Sequence, residues 1–134
     1  MKNQKGFTLI ELVMVIVILA VLGAVAIPQY VNLQNEARIS AELGVAGGVR
    51  AGITTWFIDP ARGNRAAFPA TLDAVAINTV CSQAAPCFTT VLVQGGITEQ
   101  WQKLATVNTY RSPLNGTNVW TYTPATGNFV KTTP

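Results

Sequence analysis

The sequence predicts an α+β fold in which one long N-terminal α-helix packs on a small antiparallel β-sheet. Three observations carry this prediction. Residues 7–27 form an apolar run whose only ionisable residue is Glu11. Residues 29–58 then place apolar side chains three and four positions apart, as on one face of a helix. Residues 119–132 form two alternating segments around a turn, which is the pattern of a β-hairpin.

Length and composition limit the classes of protein that fit. A chain of 134 residues has room for one domain and an anchor. Hydrophobic residues make up 49% and charged residues 11%, which argues against disorder and for a membrane-linked or assembling chain. The net charge of +3 becomes +1 if the chain is cut after Gly6, because Lys2 and Lys5 precede that position. A nucleic-acid partner is therefore not expected from the remaining dispersed basic residues, which include Arg62, Arg65, Arg111 and Lys131.

The apolar run is long enough to cross a bilayer, which takes about 20 apolar residues in a helix. A carboxylate within hydrocarbon costs about 2.5 kcal/mol or more, so Glu11 is expected to need a partner. One alternative is an incidental glutamate that extends to the lipid interface. Another is a signal peptide, since Ala24-Val25-Ala26 fits a cleavage site and removal would leave a soluble periplasmic domain. Glu11 inside the run argues against this second alternative.

The helix is predicted to continue beyond Pro28, which should kink it or locally melt it. Its second half, 29–58, is amphipathic, and Asp59-Pro60 is a plausible end. Four glycines in this half allow another helix or the sheet to approach closely. The predicted apolar face consists of Ile39, Leu43, Ala46, Ile53 and Phe57, the predicted polar surface of Glu36, Arg38, Glu42 and Arg50, and the glycines are Gly44, Gly47, Gly48 and Gly52.

Residues 59–134 are predicted to be loops and β-structure. We expect a brief helix after Thr71, a strand at 88–93 and a hairpin with strands at 119–123 and 129–132. Residues 98–105 fit a short helix or a twisted strand equally well. The aromatic residues of this region are expected in the core, with an adhesive surface or an electron path as alternatives; they are Trp101, Tyr110, Trp120 and Tyr122.

No constellation of catalytic residues is present. The chain has no histidine, no C-x-x-C and no glycine-rich phosphate loop, and the acidic residues Asp59, Asp73 and Glu99 are scattered. We therefore expect no enzymatic activity, no cofactor and no metal. Cys81 and Cys87 suit one small disulfide formed in an oxidising compartment. Free thiols or a metal pair are the alternative, but other ligands are lacking.

The segment Lys5-Gly6-Phe7-Thr8-Leu9-Ile10-Glu11 resembles the processing signal of type IV prepilins and of the related pseudopilins of type II secretion. The resemblance implies that a prepilin peptidase cuts between Gly6 and Phe7, removes the leader 1–6 and methylates Phe7. It also implies a pilin-like fold, with 7–28 as the membrane and filament-core helix and 29–134 as the globular domain. Segment 30–38, Tyr-Val-Asn-Leu-Gln-Asn-Glu-Ala-Arg, is similar to that of mannose-sensitive haemagglutinin-type pilins.

The expected function is that of a structural subunit that polymerises into a type IV pilus serving adhesion, motility or DNA uptake. Cleavage would create an α-amine at Phe7, and this amine could neutralise Glu11 and fix the axial register. The resemblance implies a homo-oligomeric filament, an inner-membrane assembly machinery, residence in the inner membrane before assembly and a surface location afterwards. The alternatives are a periplasmic pseudopilin and, less expected, a soluble binding module.

The loop 111–118 lies where major pseudopilins that resemble this chain hold calcium. Calcium prefers carboxylates among its oxygen ligands, and this loop has none. We therefore expect a turn there rather than a metal site.

Overall fold

The computed structural model describes residues 6–59, 61, 67–113 and 118–132. These residues contain one α-helix, α1 (Leu9–Ile58), and four strands: β1 (Gln102–Lys103), β2 (Thr109–Arg111), β3 (Val119–Thr123) and β4 (Asn128–Thr132). The predicted α+β class is confirmed. By its internal contacts the chain divides into two compact units, Met1–Arg38 and Ile39–Pro134.

In the first unit, α1 begins at Leu9 and is the only regular element among the described residues. Pro28 lies inside the helix and does not end it. Whether the axis bends at Pro28 stays a prediction. Every described residue of this unit is exposed except the half-buried Gly23.

In the second unit, α1 buries Glu42, Ala46, Val49 and Ile53. These positions are four, three and four residues apart and therefore lie on one face of a helix. The predicted apolar face was partly wrong. The side chains of Ile39 and Leu43 are 51% and 56% exposed, because the buried face is turned towards Glu42 and Val49. The predicted helix end is confirmed, since α1 ends at Ile58, directly before Asp59.

The sheet has the strand order β1-β2-β3-β4, and every neighbouring pair is antiparallel. The predicted hairpin is confirmed, with Thr123 opposite Asn128 at its turn. Gly127 in this turn has a φ of +70°. A β-carbon there would also meet the ring of Phe68. Alternate residues of β3 face the core, so Trp120 and Tyr122 are buried.

The predicted strand at 88–93 was wrong, because this segment is a turn. Phe88 has a φ of +61°, and its carbonyl oxygen accepts hydrogen bonds from the amides of Val91 and Leu92. Local bonds of this kind replace the bonds to a neighbouring strand. The brief helix after Thr71 was also wrong, since the described residues 67–76 contain no helix. Of the two alternatives for 98–105, the structure has a strand, β1.

The core of the second unit is built from aromatic side chains, which confirms the expectation for these residues. The Phe88 ring lies 5.6 Å from Trp101, 4.4 Å from Tyr110 and 5.7 Å from Phe129, measured between centroids. Beside this cluster a disulfide joins Cys81 to Cys87, whose Cα atoms are 5.4 Å apart. Such a bond restricts the unfolded chain and so stabilises a segment that has little regular structure of its own.

Close approach explains one of the four helix glycines. A β-carbon at Gly52 would overlap the backbone carbonyl oxygen of Val91, so only glycine fits there. A β-carbon at Gly48 would make an ordinary contact with Leu92, at 3.8 Å. At Gly44 and Gly47 a β-carbon would meet no described atom within 4 Å.

Candidate functional site

The amino-terminal unit presents its apolar side chains outward. Phe7 is 88% exposed, and the large apolar residues that follow it are all exposed as well. Among the described residues, α1 is the one helix long and apolar enough, by length and composition, to cross a membrane. An uninterrupted exposed apolar surface of this size is unfavourable in water and marks a surface that lipid or protein covers.

Glu11 is bound at the start of this helix by a residue that sequence reasoning missed. The amide and hydroxyl of Thr8 donate hydrogen bonds to Glu11 Oε2 over 2.9 Å and 2.7 Å. In return the Glu11 amide donates to Thr8 Oγ1 over 3.4 Å. The amide of Leu12 donates to the Thr8 carbonyl over 3.3 Å, which makes Thr8 the N-cap.

This reciprocal arrangement is a capping box, in which a threonine and a glutamate three residues later satisfy each other's backbone donors. The sequence signal was available in Thr8-Leu9-Ile10-Glu11, which fits the pattern T-x-x-E ahead of an apolar run. It also means that Glu11 has a partner within its own chain. The expected pairing of Glu11 with the α-amine of Phe7 would come in addition to this contact, and it stays a prediction.

Gly6 and Phe7, the predicted processing residues, precede the helix and are exposed. A β-carbon at Gly6 would meet no described atom within 4 Å. No contact within the described part of the chain therefore requires glycine at this position. Residues 1–5, which include Lys2 and Lys5, lie outside the described residues.

The second unit contains a buried ion pair that the sequence did not indicate. Lys103 Nζ lies 2.7 Å from Asp73 Oδ1, and the two side chains are 5% and 0% exposed. The Asp73 carboxylate also accepts hydrogen bonds from the amides of Val75, over 3.2 Å, and Phe88, over 3.1 Å. Local sequence patterns do not indicate this pair, because 30 residues of chain separate Asp73 from Lys103.

Glu42, predicted on the polar surface, is buried and bonded to the sheet. Its Oε1 accepts from Trp120 Nε1 over 2.6 Å, and its Oε2 accepts from Asn118 Nδ2 over 3.0 Å. About two helical turns after Glu42, Arg50 also contacts the sheet. Its Nε donates to the Phe129 carbonyl over 2.8 Å, and its guanidinium lies 5.5 Å from the Trp120 ring centroid. A buried indole N–H needs an acceptor, and Glu42 supplies it.

Burial perturbs two tyrosines of this core. Burial raises the pKa of Tyr122 to about 12. Burial, and then the nearby charge of Asp73, raise the pKa of Tyr110 further still. Both phenols therefore stay protonated at neutral pH and serve packing, and the Tyr122 hydroxyl donates to the Pro69 carbonyl over 2.7 Å.

The described residues offer little for catalysis or for metal binding. They contain no group of three or more metal-ligating side chains. An open surface hollow beside the disulfide carries no titratable group; it is lined by Ala74, Val75, Ala76, Ala84, Ala85, Pro86 and Thr89. Residues 114–117 of the loop considered for calcium lie outside the described residues, as do Arg62 and Arg65, so those expectations stay predictions.

Comparison with known proteins finds a family motif at the amino terminus and a set of similar proteins. Residues 1–27 match the family model of the prokaryotic N-terminal methylation motif. The chain is 36% identical over 86 residues to fimbrial protein EcpC of Eikenella corrodens, which is 61% of this chain and 56% of that protein. The chain is thus similar to a fimbrial protein and carries the methylation motif at its amino terminus.

Further relatives carry names of the same kind. The chain is 43% identical over 60 residues to type IV major fimbrial protein FimA of Dichelobacter nodosus, 45% of this chain and 38% of FimA. It is 41% identical over 56 residues to type IV major pilin protein PilE1 of Neisseria gonorrhoeae, 42% of this chain and 34% of PilE1. The matches thus span little more than half the length of these relatives, or less. No solved structure matches the chain.

Proposed function

We propose that the chain is a structural subunit that polymerises into a type IV pilus through its amino-terminal helix. The observation that carries this proposal is the exposed apolar run with Glu11 as its one ionisable residue, within a methylation motif. The second unit has a core of its own. The described residues of the first unit form no such core, so other molecules have to cover their apolar side chains.

Proteolytic processing of the chain would come before its assembly into a filament. A prepilin peptidase would cut between Gly6 and Phe7, remove residues 1–6 and methylate the new amino terminus at Phe7. The helix would hold the subunit in the inner membrane until an assembly machinery transfers it to the filament. There the apolar side chains of neighbouring helices would cover one another, and the filament would end at the cell surface.

Glu11 would set the register of each incoming subunit. Its carboxylate is the only charge in the apolar run, and the α-amine of Phe7 on a neighbouring subunit is the strong partner that cleavage creates. A pair of opposite charges in an apolar core is satisfied at one axial position only. Both charges remain unpaired in every other register, at a cost of several kcal/mol.

The alternatives are weaker. A pseudopilin of type II secretion would use the same helix, but the relatives described above are named as fimbrial and pilin proteins. A soluble periplasmic binding module would lose nearly all of residues 1–27, which match the methylation motif. An enzymatic role has no support, since these relatives carry structural names. Adhesion, motility and DNA uptake are all compatible with a pilus subunit.

Substitution of Glu11 tests the proposal. In cells that carry the assembly machinery, Glu11→Ala should remain in the inner-membrane fraction, while sheared surface filament falls about tenfold or more. Glu36→Ala is the matched control, because Glu36 is exposed on the same helix but lies outside the apolar run. A normal filament yield from Glu11→Ala would overturn the proposal.

A further inference from the structure

The ion pair of Asp73 and Lys103 is almost completely removed from solvent. Lys103 Nζ lies 2.7 Å from Asp73 Oδ1, and the two side chains are 5% and 0% exposed. Lys103 on β1 is directly opposite Tyr110 on β2, and the Tyr110 ring lies 4.4 Å from the Phe88 ring. The amine and the carboxylate therefore meet beside the aromatic core, where bulk water does not separate them.

The Asp73 carboxylate is held in place from both of its oxygens. The Val75 amide donates to Oδ1 over 3.2 Å, and the Phe88 amide donates to Oδ2 over 3.1 Å. Lys103 Nζ is thus kept within reach of the carboxyl carbon, Cγ, which is bonded to Oδ1. Groups fixed with their reacting atoms about 3–3.5 Å apart behave as if their concentration were about 10⁵ M or more.

A third group, the hydroxyl of Tyr110, is close to this pair. It is buried and has no hydrogen-bond partner among the described residues, which is unusual for a buried hydroxyl. Burial, and then the charge of Asp73, raise the pKa of Tyr110, so the phenol lies near the carboxylate and stays protonated. A phenol can both donate and accept a proton, and its position therefore suits proton transfer at Asp73.

We propose that Lys103 and Asp73 condense into an isopeptide bond, an amide between the two side chains that forms within the folded chain. The ion pair is the state from which the reaction starts, and the amide takes its place as the protein ages. The proposal concerns the second unit alone. It goes beyond the proposed function, and it does not depend on assembly of a filament.

The reaction needs no oxidant, reductant or other co-reactant. Nζ first gives a proton to Oδ1, because an apolar site penalises both charges. The neutral amine then attacks Cγ, and the Phe88 amide stabilises the negative charge that develops on Oδ2. Tyr110 relays a second proton from Nζ to Oδ1. The bond between Nζ and Cγ is now formed, the bond between Cγ and Oδ1 breaks, and one water molecule leaves.

Tryptic digestion of the full-length chain shows whether the bond forms. Trypsin cuts after lysine and arginine, and Lys103 is the only such residue between Arg65 and Arg111. After reduction of the disulfide, the unlinked chain therefore gives fragments 66–103 and 104–111. A lysine in amide linkage is not cut, so the linked chain gives fragment 66–111, lighter by one water molecule. Chain stored in detergent at neutral pH for several days should give mainly this fragment.

Three variants assign the roles. Lys103→Arg keeps the positive charge but removes the nucleophilic amine, and it should show no loss of water on storage. Tyr110→Phe keeps the ring but removes the proton relay, and it should slow formation of the linked fragment about a hundredfold. Tyr122→Phe is the matched control and should leave the rate unchanged, because the Tyr122 hydroxyl donates to the Pro69 carbonyl instead.

Stored, unaltered chain that gives only fragments 66–103 and 104–111, at full mass, would overturn the proposal. Loss of water from a fragment that still ends at Lys103 would also overturn it, because Asp73 would then have cyclised onto its own backbone. Loss of water from Lys103→Arg would likewise exclude Lys103 as the nucleophile. A linked fragment that forms equally fast in Tyr110→Phe would support the bond and overturn the relay.

Discussion

The two units of the chain differ in the solvent exposure of their apolar and charged side chains. From Gly6 to Arg38 the apolar side chains are exposed, and the one carboxylate of the apolar run is held by its own first turn. The second unit instead buries a core of apolar side chains, together with three charged side chains, Glu42, Asp73 and Lys103. The second unit thus has a core within one chain, whereas the exposed apolar side chains of the first unit support the proposal that other molecules cover them.

Breaking the buried ion pair should damage the second unit most. Asp73→Asn leaves Lys103 buried without its counter-charge, and loss of one member of such a pair costs about 3–5 kcal/mol. The free energy of unfolding, measured by denaturant titration of the full chain in detergent, should fall by about this amount. Glu99→Gln is the control, since Glu99 is exposed in the same unit and should shift the value by about 0.5 kcal/mol or less. Equal effects of the two substitutions would show that the ion pair does not hold the second unit together.

Adding one methyl group to the helix should have the next largest effect. Gly52→Ala drives a β-carbon into the Val91 carbonyl, and overpacking of this kind costs about 1–3 kcal/mol. Gly47→Ala is the matched control, because a β-carbon there meets no described atom within 4 Å and alanine favours a helix by about 1 kcal/mol. The same denaturant titration should therefore give changes of opposite sign. Stabilisation by both substitutions would contradict the close approach of the helix and Val91.

The smallest effect appears only at high pH. The unfolded chain loses tyrosine protons at about pH 10, whereas burial raises the pKa of Tyr122 to about 12 in the folded state. The folded state then holds more protons, so the free energy of unfolding should fall as the pH rises from about 10 to about 12. Thermal denaturation across this range should show the fall, and Tyr122→Phe should reduce its slope. A profile that Tyr122→Phe leaves unchanged would mean that this phenol is not buried in solution.

The sequence predicts features that depend on neighbouring residues, and it does not predict contacts between residues far apart in the chain. In the first unit the signals are local: the apolar run, its single carboxylate and the T-x-x-E pattern at Thr8 can all be identified within a few residues. In the second unit, helix α1, its end at Ile58 and the 119–132 hairpin follow from local patterns too. The pairing of Asp73 with Lys103 and of Glu42 with Trp120 does not, because these contacts join residues 30 and 78 positions apart.

The error at 88–93 has the same origin. Phe88-Thr89-Thr90-Val91 has the composition of a strand, and composition favours a strand wherever a neighbouring strand is available. Here Asp73 binds the Phe88 amide, and the Phe88 ring fills the centre of the aromatic core. Tertiary contacts thus place Phe88 at a positive φ that its local sequence does not favour.

The central claim is that the first unit is processed and then assembles through its exposed apolar helix. The mass of the mature amino terminus tests this claim most directly. Protein isolated from cells that contain a prepilin peptidase should begin at Phe7 and carry one additional methyl group on its α-amine. A mature chain that begins at Ile27, after the Ala24-Val25-Ala26 site, would have lost the exposed apolar run and would contradict the proposed function outright.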